Sequence, residues 1–319
     1  MIDRRHLMLS GIAALAVRPA LAASPATTLW GPPAAPSVLL AQAVAAGSIQ
    51  GQSLDFRVWR SPDEMRAGIA GGTMQAVVVP TYVAANFYNR GAGLRLLNVL
   101  TEGLLYVVGT PDAEGVVGLA GRRVAVPFAN DMPDLVLRRL LAKAALTPGR
   151  DIHLDYVGSP PEAVQLLLAG RVDAALLSEP AASAAILRGG MAGKELVRAV
   201  DCRRAWQVAT GAASMPQAGL AVMPALADRL GGEGLEALQG ALEAALARVK
   251  ADPAAAGGAA ATALELPAPV VGRAIASSNL VALRASSARE ALTGFFAALA
   301  EDDPRIIGGG QPDAGFYAL

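Results

Sequence analysis

The sequence predicts an α/β protein of two lobes, each a mostly parallel sheet flanked by helices. Three observations lead there. A strand–helix–strand–helix–strand order occurs twice, the two copies match at a fixed offset, and 319 residues suffice for two lobes with separate cores.

The self-match is the most direct of these. Ser61-Pro62-Asp63-Glu64 lines up with Ser159-Pro160-Pro161-Glu162, an offset of 98 residues (61 to 159). At the same offset, Ala70-Gly71-Gly72-Thr73-Met74-Gln75-Ala76 falls on Leu168-Ala169-Gly170-Arg171-Val172-Asp173-Ala174, and each copy continues into an apolar run. Each reads as a polar turn, an amphipathic helix, a Gly break and a short strand. Ser61 and Ser159 suit an N-cap, Pro62 and Pro160 suit a first turn that needs no N–H, and Gly72 and Gly170 suit the helix end.

Upstream of each copy lies a second matching pair. A strand over 28–30 leads through the loop 31–37 into a helix over 38–46; a strand over 123–126 leads through 127–133 into a helix ending near 145. Such an order calls for parallel strands joined by crossover helices. Between the halves, strands over 94–100 and 105–108 flank Thr101-Glu102-Gly103, the expected first crossing between lobes. After an irregular stretch over 201–217, a strand over 218–223 brings the chain back. Helices are expected over 234–250, 254–264 and 288–300, and an irregular tail after Pro304. Lobe I would then hold residues 23–103 and 207–319, and lobe II residues 104–206.

Composition narrows the function. Hydrophobic residues make up 53% and aromatics only 4%, so the placing of each ring is informative. With 27 basic and 27 acidic residues and no basic run, the chain has no field to attract nucleic acid or an anionic membrane. Cys202 stands alone, which rules out an intramolecular disulfide or a cysteine metal site, and His6 and His153 are the only imidazoles. A His-dependent triad or metal centre has little to build on, and no cofactor is expected.

Residues 1–22 read as an export signal. Arg4-Arg5 opens it, an apolar run spans 7–17, and Ala20-Leu21-Ala22 supplies the small-x-small pattern, so that the mature chain begins near Ala23. Eleven residues at about 1.5 Å each fall short of a hydrocarbon layer of roughly 30 Å. The paired arginines and Arg18 suit a twin-arginine route; a general basic n-region is the alternative. No Cys follows the apolar run, so no lipid anchor is expected.

Several pieces then occur in a telling order: the loop Gly31 to Ser37, Ala70-Gly71-Gly72-Thr73-Met74-Gln75-Ala76, Leu119-Ala120-Gly121-Arg122-Arg123-Val124-Ala125-Val126, Leu168 to Ala174, and Ser178-Glu179-Pro180-Ala181. Over residues 27–225 the chain resembles the nitrate/sulfonate/taurine and thiamine-precursor branch of ABC-transporter periplasmic substrate-binding proteins. One departure is Gln75, where the second copy has Asp173. The resemblance implies a type II periplasmic-binding-protein fold whose lobes close by a hinge on a small-molecule ligand. It also implies a monomer that serves an ABC permease and its ATPase in the periplasm, with no cofactor and no nucleic acid.

In open parallel sheets, ligands sit beyond the carboxyl ends of the strands. The residues there, or at the crossing, are Trp30, Gly31, Ser37, Ser61, Thr81, Tyr82, Glu102, Phe128, Asn130, Asp131, Ser178 and Glu179, the candidate ligand-binding set. Trp30, Tyr82 and Phe128, with Trp59 at a further strand end, would form a slot for a planar molecule, and Asp131 and Glu179 would bond its polar edge. Core filling is the alternative for each ring, and the stronger one for Trp59. Glu179 as an inter-lobe brace is the alternative. Acids outnumber bases here, Arg60 being the lone cation, which suits a neutral or cationic nitrogen-containing ligand. Helix starts near Ser37 and Pro133 leave a sulfonate open. Two rivals remain: an enzyme on the same fold, a lyase or pyrimidine-forming enzyme with Asp131 and Glu179 as general acid and base, and a ligand-sensing module for a membrane receptor.

Overall fold

The computed structural model describes residues 26–49, 51–301 and 303–319; the expected export signal and its cleavage site lie outside the described residues. The chain begins one sheet with β1 (Thr27–Gly31), β2 (Leu54–Val58), β3 (Ala76–Pro80), β4 (Arg95–Leu96) and β5 (Asn98–Thr101). It then builds a second from β6 (Leu105–Gly109), β7 (Arg123–Pro127), β8 (His153–Val157), β9 (Ala174–Ser178) and β10 (Val197–Asp201), and returns to complete the first with β11 (Ala218–Val222) and β12 (Leu280–Arg284). The first sheet runs β12-β5-β11-β3-β1-β2, with β4 beside β11, and the second runs β10-β6-β9-β7-β8.

Helices join and cover these strands. They are α1 (Pro36–Ala45), α2 (Pro62–Ala70), α3 (Thr81–Phe87), α4 (Met132–Lys143), α5 (Pro160–Leu168), α6 (Ala181–Met191), α7 (Cys202–Thr210), α8 (Pro224–Ala251), α9 (Pro253–Leu264), α10 (Ala268–Ala274) and α11 (Arg289–Leu299). The central strands β3, β6, β7 and β9 are buried on both faces, which is why they read as unbroken apolar runs instead of alternating.

The repeat is physical. β1 pairs in parallel with β2 and β3, and β7 with β8 and β9. Leu29 stands opposite Ala76 in one sheet, and Val124 opposite Ala174 in the other. Ser61 Oγ accepts the Glu64 N–H at 3.1 Å and Ser159 Oγ accepts the Glu162 N–H at 3.4 Å, so both caps form as read. Gly72 and Gly170 take φ of 70° and 69°, conformations a side chain would resist. At the position where the copies differ, Asp173 accepts the Arg123 N–H at 2.8 Å and pins the start of β7.

Beyond these trios the sheets are antiparallel: β6 runs against β9, and β11 against β3. The cause is the shortness of the first crossing. β5 ends where β3 ends, and three residues cannot carry the chain around the second sheet, so β6 must start at that same end and run away from it.

The structure departs from the sequence reading in three places. The irregular stretch over 201–217 contains α7, started by the Asp201 carboxylate accepting the Arg204 N–H at 3.1 Å, and the expected boundary at 206/207 falls inside this helix. The strand over 94–100 is broken at Leu97 into β4 and β5. The tail after Pro304 forms two 3-10 turns, held by amide donors from Asn86 and Asn89 to the carbonyls of Arg305, Ile306 and Ile307. Just before this tail, α11 sets Phe295 edge-on to Trp206 of α7 at 5.2 Å, and one apolar cluster runs through both sheets.

Candidate functional site

Strand ends from both sheets converge on a cavity of about 100 Å³. Its walls come from Pro32, Pro33, Ala34 and Pro36 after β1, Trp59 after β2, and Pro62 and Met65 on α2. Opposite stand Phe128, Asp131, Met132 and Pro133 after β7, Pro160 on α5 and Ser178 at the end of β9. The two crossings add Leu104, Leu105, Gln217 and Ala218. The lining is largely apolar, and among the described residues no Lys or Arg belongs to it.

Two aromatic rings are fixed in it. Trp59 is 6% exposed, and its Nε1–H donates to the Val78 carbonyl at 3.0 Å, which holds the indole against the end of β3. Phe128 adopts φ 61°, a left-handed conformation that a bulky side chain takes only when its surroundings impose it. Its N–H donates to the Val157 carbonyl at 3.1 Å, which keeps the turn after β7 in line with β8.

Polar contacts span the two walls. Tyr82 on α3 donates its hydroxyl to Asp131 Oδ1 at 2.7 Å, and that oxygen also caps α4 by accepting the Met132 N–H at 2.7 Å. Arg66 on α2 lies 2.9 Å from Asp131 Oδ2, an ion pair rather than an aligned hydrogen bond. Burial and then the Asp131 charge push the Tyr82 phenol well above its ordinary value. Burial pulls the Arg66 guanidinium down most strongly; the Asp131 charge, joined by Tyr82 and Asp63, together outweighs it and leaves the pKa raised. The Ala35 N–H donates to the Glu179 carbonyl at 3.0 Å, and Tyr106 donates its hydroxyl to the Ser277 carbonyl at 2.7 Å.

A family model described as the NMT1-like family matches residues 39–207, more than half of the chain. The chain belongs to the NMT1-like family. No curated protein sequence matches it. Solved structures do. An ABC transporter from Parabacteroides distasonis aligns with a TM-score of 0.76 at 22% identity, covering 92% of this chain and 98% of that one. The periplasmic aliphatic sulphonate binding protein from Escherichia coli gives 0.64 at 17%, over 81% and 85%. The alkanesulfonate-binding protein from Xanthomonas axonopodis pv. citri, bound to MOPS, gives 0.66 at 19%, over 90% and 97%. At these identities the likeness establishes a shared two-lobed α/β fold.

Within this NMT1-like chain, Phe128, Asp131 and Ser178 line the cavity, and Tyr82 reaches it through Asp131. The other sequence candidates hold the frame. Trp30 is partly buried and stands outside the lining, with the Arg57 guanidinium 5.9 Å from its ring. Gly31 leaves space for Ser37, whose Oγ would lie 2.2 Å from an added Cβ, and Ser37 donates to the Pro32 carbonyl at 2.5 Å. Ser61 is a helix cap, and Thr81 donates to the Pro216 carbonyl at 2.7 Å. Glu102 accepts the Ser214 hydroxyl at 2.6 Å beside the crossings. Asn130 is exposed, with φ 61°, and borders a separate opening together with Arg66.

The Glu179 carboxylate is fully buried and taken up by Arg198 and by the Ser183 N–H at 3.1 Å. Its carbonyl, not its carboxylate, reaches the other wall. Sequence reasoning missed Arg66, Met65 and Gln217 and, of the four strand-end rings, favoured a core place for Trp59. The available signal was the proline that recurs where each strand end turns into a helix: Pro36, Pro62, Pro133 and Pro160.

Proposed function

We propose that this protein is the periplasmic solute-binding component of an ABC importer, taking a small organic molecule between its two lobes. The observation that carries the reading is the cavity itself: both walls are strand ends, they belong to different sheets, and among the described residues two chain crossings connect them. The likeness to solved structures, sulfonate-binding proteins among them, supports it. In this reading lobe I comprises residues 23–103 and 211–319, lobe II residues 104–210 with α7 whole, and hinge motion at 102–104 and 211–217 opens the cavity. Trp59 and Phe128 offer flat faces to a planar solute.

Binding is favoured over catalysis because the two buried carboxylates nearest the strand ends are occupied. Asp131 is held by Tyr82, Arg66 and the Met132 N–H, and Glu179 by Arg198 and Ser183. We further propose export by the twin-arginine route, a monomeric mature chain beginning near Ala23, and delivery to a membrane permease with its ATPase.

Native mass spectrometry of protein purified without denaturation is expected to show one small molecule bound per chain. Hydrogen exchange at both crossings is expected to slow when it is added back. Catalytic turnover of that molecule, or protection confined to one sheet, would overturn the reading. Replacing Arg4 and Arg5 by Lys is expected to retain precursor in the cytoplasm; normal processing would reject the route.

A further inference from the structure

Four helices, α1, α2, α4 and α5, start at the cavity and each contributes a lining residue from its first turn. Helix starts ordinarily offer unpaired N–H groups and the positive end of a dipole, the usual means of holding an anion. Here those donors are withdrawn one by one. In α1, Pro36 has no N–H, and the N–H groups of Ser37 and Val38 donate to the Ala34 and Ala35 carbonyls, each at 3.0 Å. In α2, Pro62 has none, and the Glu64 N–H is taken by Ser61. In α4, the Met132 N–H is taken by Asp131, and Pro133 has none. In α5, neither Pro160 nor Pro161 has one, and Glu162 donates to Ser159.

Of the first three positions in each helix, this leaves only the N–H groups of Asp63 and Asp134. Neither residue lines the cavity, and each sets its own negative charge beside its amide. The one carboxylate in the lining, Asp131, is matched by Arg66, which stands outside it. An oxyanion entering would lose its hydration and find, among the described residues, no Lys or Arg in the lining and no free lining donor at these four helix starts.

The lining holds two donors of another kind. Gln217 is 5% exposed, and its Oε1 accepts the Leu104 N–H at 3.2 Å, which fixes the orientation of the amide. Among the described residues nothing accepts from its Nε2, and the Ser178 hydroxyl likewise has no protein partner. Both groups are uncharged and can serve one acceptor on a ligand.

We propose that the cavity selects an uncharged, largely apolar molecule bearing a hydrogen-bond acceptor, held by Gln217 and Ser178, and that the helix-start prolines exclude oxyanions. The inference rests on the solute-binding reading of the same cavity. Its probes are pairs matched in shape and unlike in charge: benzamide against benzoate, and benzenesulfonamide against benzenesulfonate, titrated by calorimetry into the purified mature protein. The neutral member of a pair is expected to bind at least about tenfold more tightly. In the double variant Pro133→Ala, Pro160→Ala, two N–H groups return and the gap is expected to narrow through tighter anion binding. Gln217→Leu is expected to weaken the neutral member about tenfold; because Gln217 also braces Leu104, Ser178→Ala provides the second reading, with a smaller loss in the same direction. Anions binding as tightly as their neutral partners, or a gap untouched by the double variant, would overturn the proposal. A co-purified oxyanion would overturn the donor argument while leaving solute binding intact. Failure to hold any probe or any co-purified molecule would overturn solute binding itself, and this inference with it.

Discussion

The loop after β1 and the loop after β7 hold the same place in their two sheets and are built in opposite ways. The first, from Gly31 to Pro36, carries no ionisable side chain, and the cap position of α1 is Ala35, whose methyl group cannot cap it. The second turns through two left-handed residues, Phe128 and Asn130, and caps its helix with a buried carboxylate, Asp131. Each finds its missing partner in the other sheet. The bare loop gives the Ala35 N–H to the Glu179 carbonyl, and the charged loop takes the Tyr82 hydroxyl and the Arg66 guanidinium. A repeat therefore sets the backbone twice, and unlike loops make the two copies complementary.

The strongest way to break this comparison is to remove the charged side. Asp131→Ala deletes the cap of α4 and the acceptor for Tyr82, and strands Arg66, for an expected loss of about 2–4 kcal/mol in unfolding free energy. The bare loop keeps its own bond, so small-angle scattering should show the lobes wider apart, not detached.

Tyr82→Phe removes only the hydroxyl and should cost about 1 kcal/mol. It also carries a pH signature. Because the folded-state phenol is held well above its ordinary value of 10.0, its contribution is complete below that value and declines as pH rises beyond it, where the unfolded chain ionises first. Urea titrations between pH 8 and about 11 should show the wild type losing stability more steeply than Tyr82→Phe at the alkaline end. Parallel curves would show that the phenol is not the linking group.

The two tryptophans sharpen the comparison at the ligand. Trp59→Phe loses the Nε1–H bond to Val78 together with volume in the lining, and should lower thermal stability by about 1–3 kcal/mol and weaken any bound solute. Trp30→Phe, outside the lining, should cost under about 1 kcal/mol and leave affinity unchanged. The reverse order in calorimetric titrations would move the site to the outer edge of β1.

The smallest effects belong to the matched caps. Ser61→Ala and Ser159→Ala should each cost about 1 kcal/mol, with Ser61 slightly the larger because its bond is 3.1 Å against 3.4 Å. Chemical denaturation of the two variants checks whether the copies are energetically equal as well as alike in sequence.

Much of this architecture was legible because it is local. A serine cap with a proline behind it, a glycine forced to positive φ, and a short apolar run act within a few residues, and the chain states each of them twice. Where the signal was weak, the structure differs: α7 is legible as a helix only once Trp206 has Phe295 to pack against, and the tail takes shape only on Asn86 and Asn89. The site residues divide in the same way. That strand ends would gather was readable; which side chain at each end faces the cavity was not. Trp30 and Trp59 both stand at strand ends, and only Trp59 lines the cavity, with its Nε1–H on the Val78 carbonyl.

By itself the sequence determined the element order, the duplication, the helix caps and the presence of prolines at the helix starts, since each is set by covalent geometry or by neighbours a few residues away. Only the tertiary structure decided which groups were left to meet a ligand. Asp131 and Glu179 look like free carboxylates along the chain, and each is consumed by partners distant in sequence: Tyr82 and Arg66 for one, Arg198 for the other. Gln217 looks like loop filler and keeps an unpaired donor in the lining. A buried polar group must find a partner wherever the fold supplies one, and that search runs through space, where residue numbers give no guide.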